Sequence, residues 1–386
     1  MSKNPIYLDC HATTPMDKRV LQEMLPYFTE HFGNPSSITH AYGWEAEAAV
    51  KTARNTIADA IHCNQSEIIF TSGATEANNL AIKGVAEAYF SKGQHIITVQ
   101  TEHRAVLDPC KYLETLGFQV TFLPVQKDGL IDLAQLEKAI RPDTILVSVM
   151  AANNEIGVIQ PLAAIGEICR QHKVLFHTDA AQAIGKIPLD VENMKIDLMS
   201  LTGHKVYGPK GIGALYLRRR NPRVQIAAQI VGGGQERGIR SGTLYTPQIV
   251  GFAKAVALGL AEMESETKRQ LQLRELLWQN LNQLEGIHLN GHPKQRLPGN
   301  LNVSVEGVDG TALLLSLQQV CAISAGSACS SSSIAPSHVL TALGHGEKLA
   351  YASLRFGIGR FNTKAEIEQV SQEILTSIKS LRKFQA

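Results

Sequence analysis

From about residue 50 to 217 the chain repeats one pattern. A short, almost wholly apolar run stops at small and polar residues, and a longer segment with apolar residues at helical spacing follows. "EIIFTSG" (67–73) leads into "ATEANNLAIKGVAEAYF", and "HIITVQ" leads into "EHRAVLDPCKYLETLG", a helix that Gly117 stops. "QVTFLPV" is a third run. "TILVSVM" (144–150) and "VLFHTDA" (174–180) bracket the helical segment "PLAAIGEICRQHK", and "DLMSLTGHK" and "GIGALYLR" follow around a Gly/Pro turn. Strands buried on both faces and separated mostly by helices predict an α/β fold with a mostly parallel, seven-stranded sheet flanked by helices. Such sheets bind ligands where strands end and loops begin, so the residues just after each strand are the first candidates for chemistry.

After about residue 255 the texture changes. A charged amphipathic helix is expected over 261–284, then "LPGNLNVSVEG", another helix, the small-residue stretch "ISAGSACSSSS" (323–333), "YASLRFGIGRF" and a terminal helix. The expected organisation is a large α/β domain over 15–254 and a smaller α+β domain formed by 1–14 and 255–386.

Charge limits the partners. The 37 Lys and Arg against 35 Asp and Glu leave a formal charge of +2, too even for a nucleic-acid or membrane surface. The one basic cluster, "RRRNPR" (218–223), reads as a solvated turn. No run approaches the ~18 apolar residues of a membrane span, and "MSKNPIYLDCHATTP" lacks the apolar core of a signal peptide. Cys10, Cys63, Cys110, Cys169, Cys321 and Cys329 form no C-x-x-C pair and no zinc-like spacing. Free thiols in a reducing, cytoplasmic compartment are expected, with no resident metal.

The strand ends carry polar residues that are each explicable alone. Gly73, Ala74, Thr75 and Glu76 open a helix, where free N–H groups and the helix dipole favour an anion, although an ordinary Thr cap would look the same. His103 starts the next helix, a place more often taken by a capping residue than by a catalyst. Asn153 and Asn154 suit a turn. Asp179, with Gln182 beyond it, ends an apolar strand, where a carboxylate needs a partner or a helix to cap. Thr202, His204 and Lys205 end the last parallel run, and Lys210 in "GPKG" follows in the same turn. A desolvated lysine there is suited to condense with an aldehyde, and spacing does not choose between Lys205 and Lys210. Together these positions offer a phosphate cradle (Thr75, Thr202, His204), a carboxylate for a pyridinium nitrogen (Asp179), a flat group for a ring face (His103) and a lysine for an aldehyde. Pyridoxal 5′-phosphate has all four handles.

The motifs "YLDCHATTP", "FGNPSS", "FTSGATEANNLAIKG", "TEHRAVLD", "NNEIGVIQP", "HTDAAQAIGK", "GHKVYGPKGIGALY", "RSGTLYTPQIVG", "GSACSSSSIAPSHVL" and "LRFGIGRF" span essentially the whole chain. In that order the sequence resembles the fold-type I, class V pyridoxal-phosphate enzymes, and among them the cysteine desulfurases of the NifS/IscS type. The resemblance implies that Lys205 forms the Schiff base with the cofactor and that His103 stacks on the ring and relays protons. It implies that Asp179 pairs with the pyridine nitrogen, that Gln182 and Asn154 contact the ring hydroxyl side, and that Ala74, Thr75, Thr202 and His204 hold the phosphate end. Thr243 in "RSGT" would reach the phosphate of a neighbouring subunit, which implies a homodimer with shared active sites. Arg355 would clamp the carboxylate of L-cysteine, with Asn34 and Asn154 assisting. Thr202 stands where relatives carry Ser, which keeps the hydroxyl.

By the same resemblance Cys329 attacks the sulfur of cofactor-bound L-cysteine, leaving a persulfide on the enzyme and alanine as product. Its loop of small residues suits a mobile carrier. The persulfide would pass to an iron–sulfur scaffold or another acceptor protein, with at most a transient iron–sulfur species at Cys329. The chain ends at "LRKFQA", where housekeeping relatives carry a further tail that helps dock the scaffold, so the resemblance carries over the chemistry but not that contact. Competing readings are a related class V lyase acting on cystine, a cysteine sulfoxide or selenocysteine, and a sulfur-carrier subunit that has lost the cofactor.

Overall fold

The computed structural model describes residues 4–325 and 336–385. Its strands are β1 (Ile6–Tyr7), β2 (Ile68–Thr71), β3 (His95–Val99), β4 (Gln119–Leu123), β5 (Thr144–Ser148), β6 (Leu175–Asp179), β7 (Leu198–Thr202), β8 (Gly213–Leu217), β9 (Ile287–Leu289), β10 (Asn300–Val305), β11 (Cys321–Ala322) and β12 (Ser353–Gly357). Seven of them form one sheet in the order β2-β8-β7-β6-β5-β3-β4. All run parallel except β8, which is antiparallel to both neighbours. The mostly parallel seven-stranded sheet expected from the sequence is present.

Successive strand residues enter opposite cores, as the two-residue pleat requires. Ile69, Ile96, Leu146, Leu198 and Leu215 pack with Leu80 and Val85 of the helix Ala74–Ala88. Phe70, Ile97, Val147, Met199 and Tyr216 pack on the other face with Ile57 and Phe252. A buried imidazole ties the middle of the sheet together. His177 in β6 meets Ser148 Oγ of β5 at 2.8 Å and Ser200 Oγ of β7 at 3.0 Å, and burial lowers its pKa to about 4, so the ring is neutral.

A second sheet, β12-β10-β9, is antiparallel and packs Val303 and Phe356 against Leu277, Leu281, Ile367 and Ile374. β1 pairs in parallel with β11, which contains the buried Cys321. Bridges from Asp9 to Gly357 and from Ser324 to Arg355 lay both segments beside β12.

The helix expected over 261–284 is in fact Thr246–Leu281, 36 residues long. Its first half escaped the amphipathic pattern because it is buried, with Ile249, Phe252, Ala255 and Val256 in the sheet core. Gly259 lets it approach Gly185, whose Cα would lie 3.1 Å from an added Cβ. The second half gives Leu273, Leu277 and Leu281 to the other core. The "RRRNPR" cluster is only partly solvated: Arg218 is buried on Glu192 and Asp197, whereas Arg220 and Arg223 are exposed. Among the described residues, no helix is long and apolar enough to cross a membrane.

Candidate active site

The chain turns from β2 into the helix Ala74–Ala88 through Gly73, whose φ of +151° favours glycine. A Cβ on Gly213 of β8 would come within 2.7 Å of the Gly73 Cα, so the close approach needs a glycine at 213. The helix has no side-chain cap, and Thr75 is its second residue rather than its cap. The first-turn N–H groups therefore lack the intrahelical and capping partners that would satisfy them, an arrangement suited to an anion.

That helix start opens on a cavity of about 510 Å³. Ala74, Thr75, His103, Asn154, Asp179, Gln182, Thr202, His204 and Lys205 all line it, and so does Lys210. They come from the carboxyl ends of β2, β3, β5, β6 and β7, where the sheet rule places ligands. Lys205 is half-buried and Lys210 exposed.

Asp179 is 5% exposed, and its carboxylate accepts from Asn78 Nδ2 at 2.7 Å and from the Ala181 N–H at 2.9 Å. Both donors are neutral, so neither brings a counter-charge and the carboxylate is suited to a cationic partner. His103 does cap its helix, its Nδ1 accepting from the Ala105 N–H at 3.1 Å. The neutral ring then carries its proton on Nε2. Burial, then the Lys205 charge, lowers the His103 pKa, and Asp179 opposes the shift. His204 lies 3.1 Å from Thr13 Oγ1, and burial, then Lys205, brings its pKa to about 4. It is thus a neutral hydrogen-bonding group at physiological pH.

Four expected residues lie elsewhere. Arg355, on β12, is 1% exposed and donates from Nη2 to Asp9 Oδ1 at 2.8 Å and from Nη1 to the Asn154 carbonyl at 3.3 Å. It therefore stands behind Asn154 rather than on the cavity wall, and its Nε is buried without a partner among the described residues. Asn34 is exposed and closes a turn by accepting from the Ser36 N–H at 2.9 Å. Thr243 is exposed and does not line the cavity of its own chain. Cys329 lies outside the described residues, but both flanks of its segment are anchored beside the site. Ser324 donates to Asp9 Oδ2 at 2.8 Å, Ser337 hydrogen-bonds Glu155, and His338 Nε2 donates to the Glu102 carbonyl at 2.9 Å.

Sequence reasoning missed Asn78, Asp9, His11 and Lys186. Asn78 lies four residues beyond Ala74 on the same helix face, so helical spacing from the anion site was a usable signal. Nothing local marks Asp9 or His11, which reach the site only through the fold.

Glycines that clear an approach to a helix N-terminus, a buried carboxylate held by neutral donors, an imidazole and a lysine in one cavity fit pyridoxal 5′-phosphate. Comparison with known proteins agrees. The family model for class-V aminotransferases matches residues 6–370. A cysteine desulfurase of Mus musculus is 57% identical over 381 residues, covering 98% of this chain and 83% of the relative. A cysteine desulfurase IscS of Neisseria meningitidis is 55% identical over 382 residues, covering 99% and 94%. A solved NifS-like protein superposes with a TM-score of 0.91 at 38% identity, over 98% of this chain and all of its own. SspA, solved in complex with cysteine, gives 0.83 at 40% identity over 93% of this chain. The chain belongs to the class-V aminotransferases, a pyridoxal-phosphate-dependent family. Within that family it belongs to the cysteine desulfurases.

Proposed function

We propose that the protein removes sulfur from L-cysteine, giving L-alanine and a persulfide on Cys329 that is passed to an acceptor. The observation that carries this reading is the joining of nine expected residues in one cavity, beside the anchored flanks of the Cys329 segment. Bound pyridoxal 5′-phosphate supplies an electron sink for bonds broken at the substrate α-carbon.

The chain supplies the rest. The helix start at Ala74–Thr75, with Thr202 and His204, would bind the phosphate. Asp179 would hold the pyridinium charge, His103 would face the ring, and Lys205 would take the aldehyde. Lys205 would also return a proton at the α-carbon. Arg355 would bind the substrate carboxylate, with its Nε–H, which has no partner among the described residues, as a donor. The Cys329 thiolate would form an S–S bond to the substrate sulfur as the C–S bond breaks, with the bond electrons leaving on the carbon side and a proton completing alanine.

A homodimer belongs to this reading. Thr243 is exposed, outside its own cavity, near Tyr245 and Val231, which are 51% and 81% exposed. A second copy would cover these and bring Thr243 to the neighbouring phosphate site. The acceptor would be an iron–sulfur scaffold or another sulfur-carrier protein, and the compartment cytoplasmic.

Mass spectrometry after incubation with L-cysteine tests the reading. One added sulfur on Cys329, lost in Cys329→Ala and in Lys205→Ala, is expected. An adduct confined to another cysteine, or unchanged sulfide release by Cys329→Ala, would overturn the assignment. A protein that stays colourless with added cofactor would favour the carrier reading.

A further inference from the structure

Gln182 is held on three sides. Its Nε2 donates to the His11 carbonyl at 2.8 Å. Its Oε1 accepts from Lys186 Nζ at 3.0 Å and lies 3.1 Å from His11 Nδ1. A carbonyl only accepts, so the His11 carbonyl fixes the Nε2 end of the amide, and Lys186 Nζ, charged or neutral, has an N–H to give to Oε1. His11 Nδ1 must then carry the ring proton. Both lone pairs of Oε1 and one N–H of Nε2 are used, and one N–H remains. Gln182 is 2% exposed and lines the cavity, so among the described residues that last N–H is left for whatever occupies the cavity.

We propose that Lys186 and His11 are positioning residues that lock the Gln182 amide, so that it presents an N–H, not an oxygen, to the cavity. The group it meets is then an oxygen acceptor on the ring of the bound cofactor. The inference rests on the reading that this cavity takes pyridoxal 5′-phosphate. Neither residue is among those that line the cavity, and both act through Gln182. Lys186 lies four residues beyond Gln182 in the turn after β6. It also borders a separate enclosed space of about 40 Å³ with Cys10, His11 and Tyr207. Burial, then the charge of Lys205, lowers its pKa to about 7. The chain thus keeps a second lysine near Lys205 at an electrostatic cost, which the tie to Gln182 accounts for.

A double-mutant cycle tests this with cofactor affinity as readout, by titrating pyridoxal 5′-phosphate into the stripped full-length protein and following its visible band. Lys186→Met keeps the side-chain volume and removes the donor. It is expected to weaken cofactor binding about 5-fold with Gln182 present and less than about 1.5-fold in a Gln182→Ala background. The band maximum should shift in Lys186→Met as it does in Gln182→Ala. Equal losses in both backgrounds, or no loss in either, would overturn the inference while leaving the cofactor site intact. If Gln182→Ala itself binds normally, the inference falls together with the assignment of Gln182 to the cofactor. Abolished binding in every variant and in the unsubstituted protein would instead strike the cofactor reading. If Lys186→Met is insoluble, His11→Phe, which removes the other donor to Oε1, runs the same cycle.

Discussion

The buried Arg355 pairs with the partly exposed Asp9 at 2.8 Å, and the second oxygen of the same carboxylate receives the Ser324 hydroxyl at 2.8 Å. One side chain near the N-terminus thus fixes both a guanidinium and the lead-in to the Cys329 segment. Removing one partner of a buried pair leaves the other charge uncompensated. Asp9→Ala should lower stability by ~3 kcal/mol and Asp9→Asn by ~1 kcal/mol, measured by urea unfolding. Because Arg355 is proposed to bind the substrate carboxylate, Asp9→Asn should raise KM for L-cysteine more than it lowers kcat. A folded Asp9→Asn protein with unchanged KM would remove Asp9 from substrate orientation.

On the cavity wall the Asp179 carboxylate accepts hydrogen bonds from two neutral donors, Asn78 Nδ2 and the Ala181 N–H. Asp179→Asn should weaken cofactor binding at least ~10-fold, since it deletes the charge that a pyridinium would meet. Asn78→Ala removes one neutral donor, and a loss of roughly 3-fold is expected. Fluorescence titration with pyridoxal 5′-phosphate ranks the two. A larger loss in Asn78→Ala would show that the hydrogen bond, not the charge, matters.

Glu155 is buried, and burial pushes its pKa up to about 7 against the opposing Ser337 hydrogen bond and Arg355 charge. Between about pH 4.5 and 7 the folded protein therefore holds a proton that the unfolded chain has lost. The group's contribution to stability falls as pH rises through that window, and the full penalty is present above it. Glu155→Gln should be close to neutral at pH 4.5 and stabilising by ~1–3 kcal/mol at pH 8. Melting curves at both pH values give the comparison, and an equal shift at both would refute a buried ionisation at this site.

His177 works in the opposite direction. Its folded pKa of about 4 lies below the unfolded value, so the folded state binds fewer protons between the two. The associated stability is intact above about pH 6.5 and drains away as pH falls towards 4. His177→Gln should flatten this slope, at some cost in stability at pH 7 because two serine hydroxyls lose their shared partner. Denaturant midpoints from pH 7 to 4.5 report it, and parallel slopes for the two proteins would contradict it.

The sheet was legible because six of its seven strands, all but the edge strand β4, are buried on both faces, and continuous apolar runs such as "HIITVQ" have few other uses. The residues at the cavity were legible for the related reason that they end those runs. The first half of the helix Thr246–Leu281 was not legible, since burial erases the polar stripe by which amphipathic helices are recognised. Asp9 and His11 were hidden by distance: Asp9 is 346 positions from the arginine it pairs with, and His11 is 171 from Gln182. Such partners depend on the closed tertiary structure, and no local pattern announces them. His103 shows a further ambiguity, because the capping role and the cavity position are both real and one residue performs both.

The helix Thr246–Leu281 runs for about 54 Å at 1.5 Å per residue. With Phe252 sunk in one core and Leu277 in the other, it acts as a ruler between them. The spacing from the ends of β6 and β7 to the guanidinium of Arg355 is set by a rigid gauge rather than by the slack of a loop. A one-residue insertion near Ala261 would turn the far half by about 100° and swing its leucines out of their seats. Tolerance to length change should therefore be lowest in the stretch whose surface charges look the most permissive.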